Sequence, residues 1–285
     1  MGEVGGNNLY GFIDNDGINT TDLLGLARNG SGHTYGTYLA VAYVLGNPDA
    51  GLKLAIHASM PDALKNRSAY TPRLIPKILL NLLTFGKASR DFDRIQRYLH
   101  SLDGGDPQAR RDCLTKMLGQ NGLKPWQEGF LIHGLGDAYF HVGEDGKLYI
   151  APLGHGQDSF IGNDPDQILY GNQRQTKFAP FLQNLTSALN RGPLDSTQQG
   201  RLDQLLGEVE ALTGVVGKTN DDTGRAEDKA FRDLAISHGY DPDGYTPQDG
   251  LSTRKYLKTY GTNYALPSDA EVQEFLKLIK CNCSK

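Results

Sequence analysis

The amino-acid sequence predicts an all-α protein, a multi-helix single domain with long functional loops and a short extended segment at its N-terminus. Two observations lead to this fold class. From Thr34 onward, apolar residues recur at the spacing of one helix face, and glycine and proline residues interrupt that pattern where helices end and begin. The chain of 285 residues, 38% of them hydrophobic, can also bury a sizeable core. We therefore expect a leading segment over 1–32 and one helical domain over 33–285.

Helix boundaries can be predicted along most of this domain. The first helix is predicted over 35–46, with Gly46 as its C-terminal stop. A second helix begins at Asn47-Pro48, where asparagine caps the helix and proline occupies the first turn, and it ends at Pro61. Further helices are predicted over 74–85, 91–102, 107–119, 125–140, 177–190, 197–213, 226–238 and 268–280.

The remaining segments are predicted to be extended or irregular. Residues 9–13 form a candidate strand between two turns, and residues 147–151 form another after an Asp-Gly turn. Residues 141–175 and 239–265 are rich in Gly, Pro, Asp and Tyr and indicate long loops. Loops of that length in a compact domain are often functional.

The distribution of charge disfavours some partners. Residues 1–26 hold four of the 33 acidic residues and no Lys or Arg, so the remainder has 33 − 4 = 29 acids against 29 bases. Nucleic-acid binders usually carry a basic excess, because contacts to phosphate dominate their affinity. No run of apolar residues approaches the length of a membrane-spanning helix, about 18 residues, and no signal peptide is visible.

Three polar residues lie in an otherwise apolar helix. His133, Asp137 and His141 are four residues apart, so all three side chains share one helix face. Imidazole and carboxylate at this spacing can bind a divalent metal, and a buried Asp137 needs a cation nearby. His141 lies ~12 Å beyond His133 along a continuous helix, so it binds a second ion unless the chain folds back. The alternative is a hydrogen-bonded pair of His133 and Asp137 within the core.

The other histidines also concentrate in the first part of the chain. Six of the seven precede residue 160, and this clustering favours a single site. His33 precedes the first helix, Asp62 follows the second, and His155 lies in a glycine-rich loop. His57 faces outward by helix phase. His100 lies at a predicted helix C-terminus, where an imidazole favours the helix dipole.

Several other chemistries find no support in the sequence. There is no Gly-x-Ser-x-Gly elbow, Walker loop or Gly-x-Gly-x-x-Gly motif, which disfavours serine-esterase, ATP-dependent and dinucleotide chemistry. Three cysteines are an odd and sparse count that argues against a disulfide framework.

The N-terminal segment carries a specific motif. It contains Gly-Gly-Asn-Asn-Leu-Tyr over 5–10 and closes with Asp-Leu-Leu-Gly-Leu over 22–26. This segment resembles the end of the core of rearrangement hotspot (Rhs) polymorphic toxins, which closes with a Gly-Gly-x-Asn-x-Tyr stretch and an Asp-Pro-x-Gly-Leu motif. Leu23 stands where that family often has proline.

The resemblance implies an origin and a set of partners. Residues 1–32 would be the end of a β-rich Rhs shell with its linker, Asp22 would take part in aspartyl self-cleavage, and the chain would be cut after Leu26. Residues 27–285 would then be a toxin carried by the Rhs shell and a type VI secretion apparatus into a rival cell. A cognate immunity protein would neutralise it.

A second resemblance concerns the histidines. The pattern over 33–166 resembles the all-helical zinc-dependent phospholipase C and single-strand nuclease superfamily. It is closer still to helical hydrolases with a His-x-x-x-Asp helix, an early histidine and an Ala-Ser-x-x-Asp turn, which here spans 58–62. The resemblance implies that one or more zinc ions are bound by His33, Asp62, His133, Asp137 and His155, with His100 and His141 as weaker members. Those enzymes often use an N-terminal tryptophan ligand, whereas Trp126 is mid-chain.

A bound divalent ion would determine the chemistry. It lowers the pKa of bound water toward ~7, and Asp62 or Asp137 could act as the general base. We expect a secreted antibacterial phosphodiesterase, most similar to phospholipase C, because the toxin part carries no basic excess. The alternatives are a metal-dependent nuclease using the same site and a non-enzymatic toxin that acts on membranes or by binding.

Overall fold

The computed structural model describes residues 29–63, 87–150, 167–169, 171–212, 220–239 and 266–283. Several predicted features lie outside the described residues. They are the strand over 9–13, the helix over 74–85, the self-cleavage residues Asp22 and Leu26, the candidate ligand His155, much of the predicted loop over 141–175 and nearly all of that over 239–265.

The all-α prediction is confirmed for the described part of the chain. Its regular elements are all helices, and β pairing is limited to isolated bridges. The helices are α1 (Asn29–Gly36), α2 (Leu39–Val44), α3 (Pro48–Ala63), α4 (Lys87–Arg94), α5 (Ile95–Leu99), α6 (Pro107–Leu118), α7 (Pro125–Phe140), α8 (Arg174–Phe178), α9 (Ala179–Asn190), α10 (Ser196–Ala211), α11 (Asn220–Ser237) and α12 (Asp269–Cys283). Helices α1, α2, α5 and α8 have the wider turn of a π-helix.

Most predicted helices are present, and helix α7 has the predicted bounds of 125–140. The first helix differs, because it begins at Asn29 with π-type turns. The predicted stop at Pro61 is wrong, since α3 continues to Ala63. Pro61 lies inside the helix and lacks the N–H that would bond the preceding turn, yet two further residues continue the helix beyond it.

The predicted strand over 147–151 is also wrong. The backbone N–H of Leu148 donates to Gly105 at 3.0 Å, while that of Tyr149 donates to His141 at 3.0 Å. The chain therefore bonds to two different segments in turn, and only isolated bridges form, Asp103 with Ile150 and Val142 with Leu148.

The two helices that carry most of the candidate site pack very closely. A Cβ placed on Gly129 of α7 would lie 2.3 Å from Cβ of His57 and 2.7 Å from its backbone carbon. Only glycine permits this approach of α3 to α7. Buried side chains from most of the helices, among them Ile56, Phe130 and Phe181, join in one hydrophobic core around this contact.

A disulfide joins the C-terminal helix to the core. Cys113 of α6 is bonded to Cys283 of α12, across 170 residues of sequence, whereas Cys281 is an exposed free thiol. The sequence did not predict this pairing. None of the described helices combines the length and apolar character that crossing a bilayer requires.

Candidate metal centre

Helix α7 places His133 and Asp137 one turn apart in the middle of the protein. Both side chains are fully buried. The helix begins at Pro125, a favourable first residue, and the Gln127 side chain accepts a hydrogen bond from the N–H of Lys124. At its other end, Arg111 donates to the carbonyl of Ala138 at 2.9 Å, which satisfies one of the last helix carbonyls.

Residues from three further segments meet these two side chains. His33 comes from α1, Asp62 from the last turn of α3, and His100 directly follows α5. His33 Nε2 lies 3.0 Å from Asp137 Oδ1, and its ring stacks on that of His133 with centroids 3.9 Å apart. His100 Nδ1 lies 3.2 Å from Asp137 Oδ2. We call these five residues the His/Asp cluster.

The orientation of His133 is fixed by the backbone of α3. Its Nδ1 donates a hydrogen bond to the carbonyl of Ala58 at 2.8 Å. The other ring nitrogen, Nε2, therefore presents a lone pair to the cluster, where it lies 3.0 Å from His100 Nδ1 and 3.2 Å from Asp137 Oδ2. Metal-binding histidines are commonly oriented in this way, with the remote N–H donated to a carbonyl or carboxylate.

Asp137 is a buried carboxylate surrounded by imidazoles. In the described residues all of its ion-pair contacts are to histidines, and no Lys or Arg contacts it. Burial alone would raise the pKa of Asp137, but His133, His141 and hydrogen bonds from the imidazoles hold it well below the ordinary value. Burial lowers the pKa of His133, and Asp137 opposes that shift. The cluster thus combines a carboxylate with a neutral imidazole lone pair.

His141 reaches the edge of the cluster as the residue that caps helix α7. Its backbone N–H still donates to the carbonyl of Asp137 at 2.7 Å, so the ordinary spacing of four residues along the helix places His141 Nδ1 3.9 Å from Asp137 Oδ2. That nitrogen donates to the backbone carbonyl of His100 at 3.0 Å. His141 therefore braces His100 and is not part of either group of side chains that could hold a metal. The chain turns only at 143–146, beyond His141, so this turn does not carry the imidazole back toward His133, and the predicted ligand role is not supported by this geometry.

Two overlapping groups in the described residues could hold a metal ion. One comprises His33, His133 and Asp137, and the other comprises Asp62, His100 and His133. Asp62 Oδ1 lies 3.7 Å from His133 Nε2 and 3.8 Å from His100 Nδ1. Of the predicted ligands, His33, Asp62, His133 and Asp137 are thus brought together. Nitrogen and oxygen donors of this kind suit a divalent transition metal.

Two other histidines differ from the sequence-based expectation. His57 was expected to face outward but is 3% exposed, because α3 packs so tightly on α7, and its Nδ1 contacts the sulfur of Met60. Burial and the nearby Lys53 lower the pKa of His57 to about 4. His100 was interpreted as a partner of the helix dipole or a weaker ligand, yet it lies within hydrogen-bond distance of both His133 and Asp137. His100 and His133 are not related by helical or strand spacing in the sequence, so only the tertiary fold shows that they are in contact.

The fold and the cluster define the class of the molecule: an all-α protein with a buried His/Asp centre that could hold a metal ion. Comparison with protein-family models, with curated proteins and with solved structures finds no match to this chain.

Proposed function

We propose that the protein is a metal-dependent hydrolase that acts on phosphoester bonds. The arrangement of four atoms carries this proposal: His100 Nδ1, His133 Nε2, Asp137 Oδ2 and Asp62 Oδ1. Five of the distances between them fall between 3.0 and 3.8 Å. In a tetrahedral zinc site with bonds of about 2.0–2.1 Å, neighbouring ligand atoms lie ~3.4 Å apart.

The four side chains divide into two roles. His100, His133 and Asp137 lie closest together, at 3.0–3.2 Å, and we assign them as metal ligands. This set joins the two overlapping groups described above through His133, which both groups share. Asp62 is farther away and, at 10% side-chain exposure, is the most exposed member of the cluster. Three protein ligands with one open position are typical of catalytic zinc sites. We assign Asp62 as the general base that accepts a proton from water at the open position.

The chemistry of the ligand set and the charge of the chain support the substrate class. A bound divalent ion would supply a water of lowered pKa and polarise a phosphoryl oxygen. Two imidazoles and one carboxylate are a ligand set that binds zinc in metal-dependent hydrolases. Residues 27–285 have no net formal charge, with 29 acids and 29 bases. We therefore propose a phospholipid, as for a phospholipase C, ahead of nucleic acid, which usually requires a basic surface.

The motif over 2–26 supports a toxin origin for this activity. We propose that the domain is released after Leu26 from an Rhs shell, is delivered into a competing bacterium and is inhibited by an immunity protein. Expression of residues 27–285 in bacterial cells should then arrest growth, and His133→Ala should relieve the arrest. Equal growth arrest by the wild type and His133→Ala would contradict an enzymatic toxin.

The proposed hydrolase activity can be tested directly with the purified protein. The protein is assayed in three states: as purified, after its metal is removed with a chelator, and after zinc is restored. Each state is incubated with phosphatidylcholine vesicles, with plasmid DNA and with bis(p-nitrophenyl) phosphate. We expect turnover of lipid and of the small diester, loss on chelation, and recovery with zinc. His133→Ala should be inactive, while the control His238→Ala, whose imidazole pairs with Glu208 at 2.6 Å, should be active. Activity that survives both chelation and His133→Ala would refute the proposal, and cleavage of plasmid alone would identify a nuclease.

A further inference from the structure

A second buried carboxylate lies outside the cluster, at Glu227 of α11. Its side chain accepts hydrogen bonds from three groups: the hydroxyl of Ser31 at 2.9 Å and the backbone N–H groups of Ile168 at 3.1 Å and Leu169 at 2.8 Å. Glu227 is only 1% exposed. A carboxylate this deeply buried is stable only when its oxygens receive such donors, and here the donors come from two distant segments.

Helix α1 depends on these contacts because its own sequence is poorly suited to a helix. Residues 29–36 include three glycines and hold no acidic residue in the first turn. Glu227 binds the Ser31 hydroxyl, and the neighbouring Asp228 accepts the backbone N–H of Ser31 at 2.8 Å. Two carboxylates from α11 thus satisfy donors at the start of α1 and favour its dipole.

The helix held in this way carries His33, two residues after Ser31. From that position His33 Nε2 donates to Asp137 Oδ1 at 3.0 Å, and the ring stacks on His133. The edge of the ring lies against Gly136, where a Cβ would be 2.9 Å from His33 Cε1 and 3.2 Å from His33 Nδ1. The imidazole is therefore confined between α7 and its own helix, and a small displacement of α1 would change its contact with Asp137.

We propose that Glu227 is a positioning residue of the metal centre. Glu227 binds Ser31 and thereby fixes the position of His33 relative to Asp137. Because Asp137 is an assigned ligand, this position affects how strongly the cluster binds its metal ion. This inference rests on the proposed function, because it assumes that the cluster binds a metal. Groups bonded directly to a metal ligand, as His33 is to Asp137, commonly change metal affinity by about 10–100-fold when they are lost. Glu227 acts one step further out, through Ser31 and His33, so its effect should lie at the lower end of that range.

The test uses three variants of the full chain: Glu227→Gln, Ser31→Ala and the double variant. Zinc affinity is measured by competition with a chromophoric chelator, and cobalt(II) is added as a spectroscopic probe of the ligand field. We expect each single variant to bind zinc up to about 10-fold more weakly, the lower end of the range for direct partners of the ligands, and to shift the visible cobalt bands. Because both substitutions act on the same contact, Ser31→Ala by removing it and Glu227→Gln by removing its charge, the double variant should lose less than the sum of the two single variants.

The control for these variants is a second carboxylate outside the cluster, Glu208. Glu208→Gln removes a carboxylate that pairs with His238 outside the cluster, and it should leave zinc affinity and cobalt bands unchanged. If Glu227→Gln does not fold, Ser31→Ala, which removes only a hydroxyl, decides the question. Variants that lose thermal stability but keep the wild-type affinity and cobalt spectrum overturn the inference alone. A wild-type protein that binds neither metal overturns the proposed function as well.

Discussion

The carbonyl oxygen of Ala58 lies 2.8 Å from Nδ1 of His133, and this contact between α3 and α7 turns Nε2 toward the Asp137 carboxylate, 3.2 Å away. The contact exists only because the two helices approach closely at Gly129. The spacing of two helix backbones therefore sets the direction of a candidate metal ligand.

The first prediction concerns this approach. In Gly129→Ala the new methyl group would meet Cβ of His57 at 2.3 Å and backbone atoms beyond it, so α3 must move away from α7. We expect the free energy of unfolding to fall by about 1–3 kcal/mol, as in other overpacked cores. We also expect weaker zinc binding, because the contact between Ala58 and His133 lengthens. Urea denaturation and zinc titration measure the two effects.

Gly207 provides the matched control. It is exposed within α10, and a Cβ there meets no atom within 4 Å. Gly207→Ala should raise stability by about 0.4–1 kcal/mol and leave zinc binding unchanged. If Gly129→Ala also raised stability and left zinc binding unchanged, the close approach of α3 to α7 would not determine the geometry of the cluster.

The second prediction concerns the charge of Asp137. Asp137→Asn keeps the size of the side chain but removes the negative charge that histidines surround. Zinc affinity should fall by at least ~100-fold, since a charged ligand in a buried site is lost. In differential scanning calorimetry the wild-type Tm should drop when zinc is chelated, by the linkage of binding to folding, while the Tm of Asp137→Asn should not respond. A chelator-dependent Tm in the variant would show that the ion binds elsewhere.

The third prediction separates the roles of Asp62 and Asp137. If Asp62 is the general base, Asp62→Asn should bind one equivalent of zinc as the wild type does, yet lose about 10²–10⁴-fold in kcat. Metal content by elemental analysis and a pH–rate profile distinguish this from a ligand role. Loss of zinc together with activity would instead place Asp62 in the coordination sphere.

Sequence patterns predicted the local elements well and the cluster only in part. Helix α7 was predictable in both bounds, because its apolar residues and Pro125 are local signals. His133 and Asp137 followed from their spacing within that helix. The resemblance gave His100 only as a weaker member of the ligand set, and its central place was not predictable from spacing, since its position depends on how the end of α5 packs against α7. Glu227 was missed for the same reason: nothing near it in sequence shows that α11 caps α1.

The fourth prediction uses the pH dependence of stability. The pKa of His57 is lowered to about 4 by burial and by Lys53. The unfolded chain binds this proton near the ordinary pKa of about 6.5, so the unfolded state holds more protons between these values. The contribution of His57 is therefore fully present above pH ~6.5 and is lost as the pH falls toward 4.

Comparison with a variant that cannot titrate at position 57 isolates the contribution of His57 to the pH dependence of stability. From pH 7 to pH 5 the wild type should lose about 2 kcal/mol more stability in urea denaturation than His57→Gln. Titration of the His/Asp cluster is common to both proteins and cancels in the difference. Equal losses in the two proteins would mean that His57 is not buried as a neutral imidazole.

The last prediction concerns the disulfide between Cys113 and Cys283. The bond closes a segment of 170 residues, and cross-linking such a long loop lowers the entropy of the unfolded chain. Cys283→Ser should therefore reduce the free energy of unfolding by about 2–5 kcal/mol under oxidising conditions. Reduction of the wild type should produce a similar loss. The control Cys281→Ser replaces an exposed free thiol and should leave stability unchanged. If the oxidised wild type showed three titratable thiols on denaturation, no bond would join α6 to α12.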